Sequence, residues 1–144
     1  MTSHNALSRA WFRVAVIYFV VAVALGIVMG ASGDHTLTAV HAHLNLLGWV
    51  SMTLFALIGT AHPAMTEGRV ATAQFWLHNI GVPVMLAALA LRLKGFAAAE
   101  PLIGLASVVV GLGVVLFAWL VLTRIGAHPA TSERRDDRTR LHMS

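Results

Sequence analysis

The sequence contains no cysteine and little charge. Without cysteine the chain cannot form disulfides, thiolate metal sites or thioether bonds to a cofactor. Asp, Glu, Lys and Arg together make up 11% of its 144 residues, whereas a soluble domain carries about 25%. This shortage excludes an ordinary soluble globular domain. Lys and Arg outnumber Asp and Glu by ten to six, but they stand at the ends of apolar runs, so no nucleic-acid partner is indicated.

Long apolar runs take the place of the missing charge. Hydrophobic residues make up 58% of the chain. Four stretches contain no Asp, Glu, Lys or Arg, and each reaches the roughly 20 residues that a helix needs to cross about 30 Å of hydrocarbon. The sequence therefore predicts an all-α membrane protein, with a four-transmembrane-helix bundle over residues 1–130 and a polar cytoplasmic tail over 131–144. The helices are expected near residues 11–31, 37–61, 71–93 and 101–123.

The distribution of basic residues predicts how the chain is oriented in the lipid bilayer. Eight of the ten Lys and Arg residues fall on one side of the predicted helices, and only Arg92 and Lys94 fall on the other. Short segments rich in Lys and Arg stay in the cytoplasm. We therefore expect both termini inside, the first and third loops outside, and a multi-pass protein of the bacterial cell inner membrane.

Three histidines lie inside the predicted helices, where ionisable side chains are costly and usually functional. His41 and His43 are near the outer end of the second helix, and His78 is in the third. Residues two apart on a helix point about 200° apart, so His41 and His43 cannot easily hold one metal ion together. They can instead present one imidazole to each of two opposite surfaces, as axial ligands of haem iron. The alternative for all three is a hydrogen-bonding role in helix packing.

The histidine pair belongs to a longer pattern. His41-Ala42-His43 is followed by an apolar helix and then by Phe75-Trp76-x-x-x-x-Gly81. In this order and spacing, residues 38–95 resemble the tenth and eleventh helices of the core subunit of the haem-copper oxidase superfamily, which also occurs in nitric oxide reductases. The chain looks like a small four-helix relative of that subunit. There a His-x-His pair serves two haems, so the resemblance implies haem b bound through His41 and His43.

The predicted cofactor site has further members. Asn45 and Trp49 follow the pair on the same helix and are predicted to contact the cofactor. Arg92 and Lys94 stand where the resembled family has basic residues for the haem propionates. His78 is a further candidate metal ligand. The three copper-binding histidines of the oxidases have no counterpart that we identify in this chain, so no copper site is predicted.

The resemblance also suggests an assembly. The oxidase subunit has twelve helices in three four-helix arcs, and this chain has the helices of one arc. Three copies could form a homo-oligomeric ring in which each haem takes His41 from one chain and His43 from the next; a dimer is the alternative. The expected function is electron transfer through bis-histidine haem, with a quinol or another redox protein as partner, and any enzymatic activity would be a redox one. The alternatives are a haem-based sensor or scavenger of nitric oxide or oxygen, and a small non-haem assembly or channel protein.

Overall fold

The computed structural model describes residues 6–125, which form four long helices and no strand. The helices are α1 (Ala6–Ser32), α2 (Thr38–Ala61), α3 (Gly68–Leu93) and α4 (Glu100–Arg124). Each helix, the last together with the turn Ala97–Ala99 before it, is long and apolar enough to cross a membrane. The predicted all-α fold is therefore confirmed, with four helices that have the length and composition of membrane spans. The predicted tail over 131–144, which contains four of the arginines, lies outside the described residues.

Short connections decide the arrangement of the helices. Consecutive helices that are joined by so few residues pack antiparallel. The first and third connections therefore lie at one end of the bundle, which we name the histidine end because His41 and His43 are close to it. The second connection and the end of α4 form the opposite end. The connections comprise residues 33–37, 62–67 and 94–99.

Backbone and side-chain features define both ends. At the histidine end, Gly33 and Gly95 have φ angles of +68° and +99°, a left-handed conformation that lets the chain leave a helix without steric cost. At the opposite end, the Arg124 guanidinium donates hydrogen bonds to the carbonyl oxygens of Ala64 and Glu67, the latter at 2.7 Å. Arg124 thereby joins the end of α4 to the connection between α2 and α3.

Helix α2 changes pitch along its length. Its middle segment is a π-helix, in which the Ser51 N–H donates to the carbonyl of Leu46, five residues earlier. Such a segment is equivalent to one inserted residue, so it rotates the residues before it by about 100° relative to those after it. The apolar pattern of the sequence does not predict this change of pitch. The segments are Thr38–His43 (α), Leu44–Val50 (π) and Ser51–Ala61 (α).

Three apolar clusters form the core: a small one of Met65, Ala71 and Leu120 lies at the opposite end, and two larger clusters lie between it and the histidine end. The larger cluster nearer the opposite end packs the second half of α2 against α1, with Trp11 and Phe55 in edge-to-face contact at 5.0 Å between ring centroids. Trp11 also contacts Phe75 of α3 at 4.7 Å. The cluster nearer the histidine end joins all four helices through Ala22, Val40, Leu44, Val82, Met85, Leu86, Ala106 and Val110. Close packing of this kind holds membrane helices together, because lipid offers no hydrophobic gain for helix association.

Large apolar side chains cover the outside of the bundle. Ile17 and Ile27 of α1 and Leu105 and Leu122 of α4 each expose more than three-fifths of their surface, and Leu122 exposes 82%. A surface this apolar is unfavourable in water and suits lipid. The outer surface therefore agrees with the membrane class that helix length indicates.

Candidate functional site

His41 lies half-buried between α1 and α2. Its Nδ1 atom is 3.0 Å from the carbonyl oxygen of Ala22, and because a carbonyl only accepts, Nδ1 is the atom that donates. Gly26, one turn further along α1, makes room for the ring, since a Cβ atom there would lie 3.0 Å from His41 Cε1. Gly30, the next small residue of the same helix, has no atom within 4 Å of its Cβ position. Gly26 is thus the glycine of α1 that belongs to the site.

His43 uses the same ring nitrogen but a different helix. Its Nδ1 lies 2.7 Å from the carbonyl oxygen of Ala39, one turn earlier in α2, so its Nδ1 also donates. The His41 ring is bound to α1, whereas the His43 ring lies along α2. The two imidazoles therefore have different surroundings, in keeping with the divergence that their spacing predicts.

The hydrogen bonds at Nδ1 define what each imidazole can do. A neutral imidazole that donates from Nδ1 carries its free lone pair on Nε2. A bond from one ring nitrogen to a backbone carbonyl is the usual way in which a protein orients the other nitrogen towards a metal. Haem iron takes such a neutral imidazole as an axial ligand. The Nε2 atoms of His41 and His43 are therefore chemically suited to bind haem iron.

Asn45 and Trp49 follow His41 along α2. The Asn45 amide nitrogen donates to the carbonyl of His41 at 2.9 Å and lies 3.4 Å from His41 Nε2. Asn45 is therefore next to the atom that would bind iron. Trp49 packs against Phe19 of α1, with ring centroids 4.8 Å apart. Trp49 thus lies where α2 faces α1, and Asn45 is in contact with the His41 side chain.

The two basic residues at the histidine end have acidic neighbours. Arg92 Nε donates to Glu100 Oε2 at 3.0 Å, and the two side chains are 45% and 69% exposed. Hydrogen bonds from the Thr36 hydroxyl and N–H hold the pKa of Asp34 below its usual value, and the nearby charge of Lys94 contributes to the shift. Propionates at this end would therefore compete with Glu100 and Asp34 for the two cations.

His78 occupies a different environment. Its side chain is 0% exposed and makes edge-to-face contacts with Trp11 and Phe55, at 5.6 and 5.1 Å between ring centroids. Its Nε2 lies 3.0 Å from the carbonyl oxygen of Leu47 and therefore donates to it. His78 therefore donates from Nε2, whereas His41 and His43 donate from Nδ1. The structure does not bring His78 to the histidine pair, because Leu47 lies one turn deeper along α2.

No group of three His, Asp or Glu side chains within residues 6–125 is arranged to hold a metal ion. Haem does not require such a group, because the porphyrin supplies four nitrogen ligands and the protein supplies only axial ones.

Two features of the site were missed by the sequence analysis. The first is the close approach of Gly26 to His41, and the second is that of Gly48 to Tyr18, whose ring covers the glycine. The Gly26-x-x-x-Gly30 spacing signals close helix packing, but it does not say which of the two glycines meets a histidine. Gly48 lies within the π segment, and no motif marks it.

The fold and the site define a class: a four-span α-helical membrane protein with a divergent histidine pair near one end of its second span. A scan against family models and searches of curated proteins and of solved structures found no match to the chain. The resemblance to the haem-copper oxidase superfamily therefore stays a prediction from the residues that carry it.

Proposed function

We propose that the chain is a membrane b-type haem protein in which His41 and His43 are axial ligands of haem iron. One observation carries the proposal: both imidazoles donate from Nδ1 to backbone carbonyls, which puts the lone pair of each ring on Nε2, the atom that would bind a metal. The two histidines lie in a span that contains no Asp, Glu, Lys or Arg, so they are its only strong metal-binding groups. Because the chain has no cysteine, the haem would be held without covalent attachment.

The divergence of the two imidazoles has a consequence for assembly. One chain cannot place both on a single iron, because the His41 ring is bound to α1 and the His43 ring lies along α2. A bis-histidine haem then requires a second chain. We propose a homo-oligomer in which His41 of one chain and His43 of its neighbour ligate the same iron, with a trimeric ring as the first candidate and a dimer as the second.

With His41 and His43 as its two protein ligands, haem iron would have no open coordination position, and the chemistry it would supply is one-electron transfer. The partner would be a quinol or another redox protein. We propose that both termini are cytoplasmic in a bacterial inner membrane, which puts the histidine end outside. Arg92 and Lys94 are at that end and would exchange their contacts with Glu100 and Asp34 for the haem propionates, whose charge is costly to leave unpaired. The resemblance to the haem-copper oxidases supports the same assignment.

A haem-based gas sensor or scavenger is the second candidate, and the position of Asn45 favours it. The Asn45 amide is 3.4 Å from His41 Nε2 and must release that atom before iron can bind. If it did not, only His43 would hold the iron, and a coordination position would stay open for nitric oxide or oxygen. Carbon monoxide distinguishes the two candidates, because it shifts the Soret band of a haem with an open position and leaves a bis-histidine haem unchanged.

The test is the absorbance of the protein purified after expression with sufficient haem. Wild-type protein and His62→Ala, a control at the exposed end of α2, should show a Soret band and sharp reduced α and β bands. His41→Ala and His43→Ala should each lose this spectrum. Co-expression of the two single variants should restore part of it, at interfaces where an intact His41 meets an intact His43.

Three results would contradict the proposal. A colourless wild-type protein would favour the non-haem reading, in which the histidines only pack helices. A native spectrum in either single variant would remove that histidine from the ligand set. A monomer in mild detergent that keeps a six-coordinate haem would refute the sharing of ligands between chains.

A further inference from the structure

The π-helical segment of α2 begins at the residue after His43. The half of α2 that follows the segment is fixed in the bundle, because Met52, Phe55 and Ala56 are buried against α1. The half that precedes it carries the histidine pair. Since the segment is equivalent to one extra residue, its loss would rotate His41 and His43 by about 100° around the helix axis. The direction of the two imidazoles therefore depends on keeping the segment π-helical.

A change of pitch leaves one carbonyl without a backbone donor. The Ser51 N–H donates to Leu46, five residues earlier. In the α-helix that starts at Ser51, four-residue pairing would give the Met52 N–H to the carbonyl of Gly48 and would pass over the carbonyl of Leu47. A backbone acceptor left unpaired inside a membrane is costly. The donor that meets the Leu47 carbonyl is Nε2 of His78, at 3.0 Å.

His78 is itself held in place. Its ring is fully buried and bounded by the edge-to-face contacts with Trp11 and Phe55. Its Nδ1 is an acceptor that has no donor among the described residues, and the buried amide nitrogen of Gln74 is a donor that has no acceptor there. Gln74 lies one turn earlier on the same face of α3. The two unpaired atoms are complementary, so a direct bond or one water between them would fix the same tautomer of His78.

We infer that His78 is a positioning residue for the axial histidines: its bond to the Leu47 carbonyl keeps the π segment and thereby aims His41 and His43. Two other contacts act on the same segment. The Ser51 hydroxyl donates to the Leu46 carbonyl at 2.8 Å, and the Tyr18 ring packs against Gly48. Of the three, only His78 reaches the segment from α3. The consequence for haem rests on the proposed function, whereas the consequence for the direction of His41 does not.

The test compares two replacements of His78 of similar size. In His78→Gln the amide Nε2 stands near the position of imidazole Nε2 and can donate to Leu47, whereas His78→Met fills the space without a donor. Nitrogen NMR of 15N-histidine in the haem-free protein reports the tautomer of His41, whose bond to the Ala22 carbonyl requires and favours a proton on Nδ1. We expect His78→Gln to keep this Nδ1–H signal and His78→Met to lose it.

Haem-loaded protein gives the second readout. The g values of a low-spin ferric haem depend on how its two imidazole planes are oriented, so we expect His78→Met to shift them and His78→Gln to keep them close to those of the wild type. If His78→Met does not fold, His78→Asn replaces it, because the shorter amide cannot reach Leu47. An unchanged His41 tautomer and unchanged g values without the donor would overturn the inference and leave the haem proposal intact. A wild-type protein without haem would refute the haem proposal, while the tautomer of His41 would still decide the role of His78.

Discussion

Replacing Gly48 by alanine tests the packing that surrounds the π segment. A Cβ atom at Gly48 would lie 2.5 Å from Cγ and 2.8 Å from Cβ of Tyr18. Distances under 3.0 Å are essentially never seen for real Cβ atoms. Rotation of the Tyr18 ring cannot relieve the contact, because Tyr18 Cβ is fixed to the backbone of α1. The two helices must therefore move apart where they cross.

Two opposing terms set the size of the effect. Overpacking of a close contact costs about 1–3 kcal/mol, whereas alanine in a helix gains up to about 1 kcal/mol over glycine. Gly30 of α1 and Gly111 of α4 serve as controls, because nothing lies within 4 Å of their Cβ positions. The helical gain is common to all three sites, so it cancels in the comparison. We expect Gly48→Ala to be less stable than either control variant by about 1–3 kcal/mol.

The measurement is unfolding of the detergent-solubilised protein with increasing sodium dodecyl sulfate, followed by far-UV circular dichroism. The same substitution is repeated in a Tyr18→Gly background, where both the obstructing ring and its Cβ atom are absent. There Gly48→Ala should cost clearly less, so the double-mutant cycle should show coupling between the two sites. Equal stabilities of Gly48→Ala and Gly30→Ala in the otherwise wild-type chain would refute the close packing of α1 on the π segment.

Three further predictions concern the histidine end. Reporter fusions in the α1–α2 and α3–α4 loops should read as external, and a cytoplasmic signal from either would reverse the proposed orientation. Arg92→Gln breaks only the exposed ion pair with Glu100 and should change stability by less than about 1 kcal/mol in the same unfolding assay; a larger loss would mean that the pair is structural. Hydrogen bonds from Thr36 lower the pKa of Asp34 from its usual value of 3.8. The ionised carboxylate therefore stabilises the folded chain above pH 3.8, and this contribution is lost as the pH falls through the lowered pKa of the folded state. Thr36→Val removes the hydroxyl bond, so carboxyl NMR should show a higher pKa of Asp34 than in the wild type, and an unchanged pKa would contradict the assigned cause.

The four spans follow directly from the sequence because the forces that set them are local. A charge-free run long enough to cross the hydrocarbon must satisfy its own backbone, and only a helix does so within one segment. The ends of the helices differ from the prediction by a few residues: α1 begins at Ala6 rather than near residue 11, and α3 begins at Gly68 rather than near residue 71. The divergence of His41 and His43 was also predictable, because the segment that contains both is regular α-helix.

The π segment could not be predicted because contacts with distant parts of the chain produce it. Leu47 needs a donor from α3, and Gly48 needs to be free of a side chain because Tyr18 of α1 lies against it. Neither partner is near in sequence. The same holds for the space that Gly26 leaves for His41. Periodicity identifies which residues share a face of one helix, but it does not identify which atom of another helix that face will meet.

The three histidines inside the spans differ in the nitrogen that they give to a backbone carbonyl, and this difference bears on the packing alternative. His78 donates from Nε2 to another helix, as a packing residue should. His41 also joins two helices, but through Nδ1. His43 donates to Ala39 of its own helix, so this bond does not connect α2 to another helix. Helix packing therefore does not account for a costly polar residue at this position of a membrane span. A ligand role does explain it, because the bond orients the ring and leaves Nε2 free. His43 is therefore the residue at which the haem proposal and the packing alternative differ most.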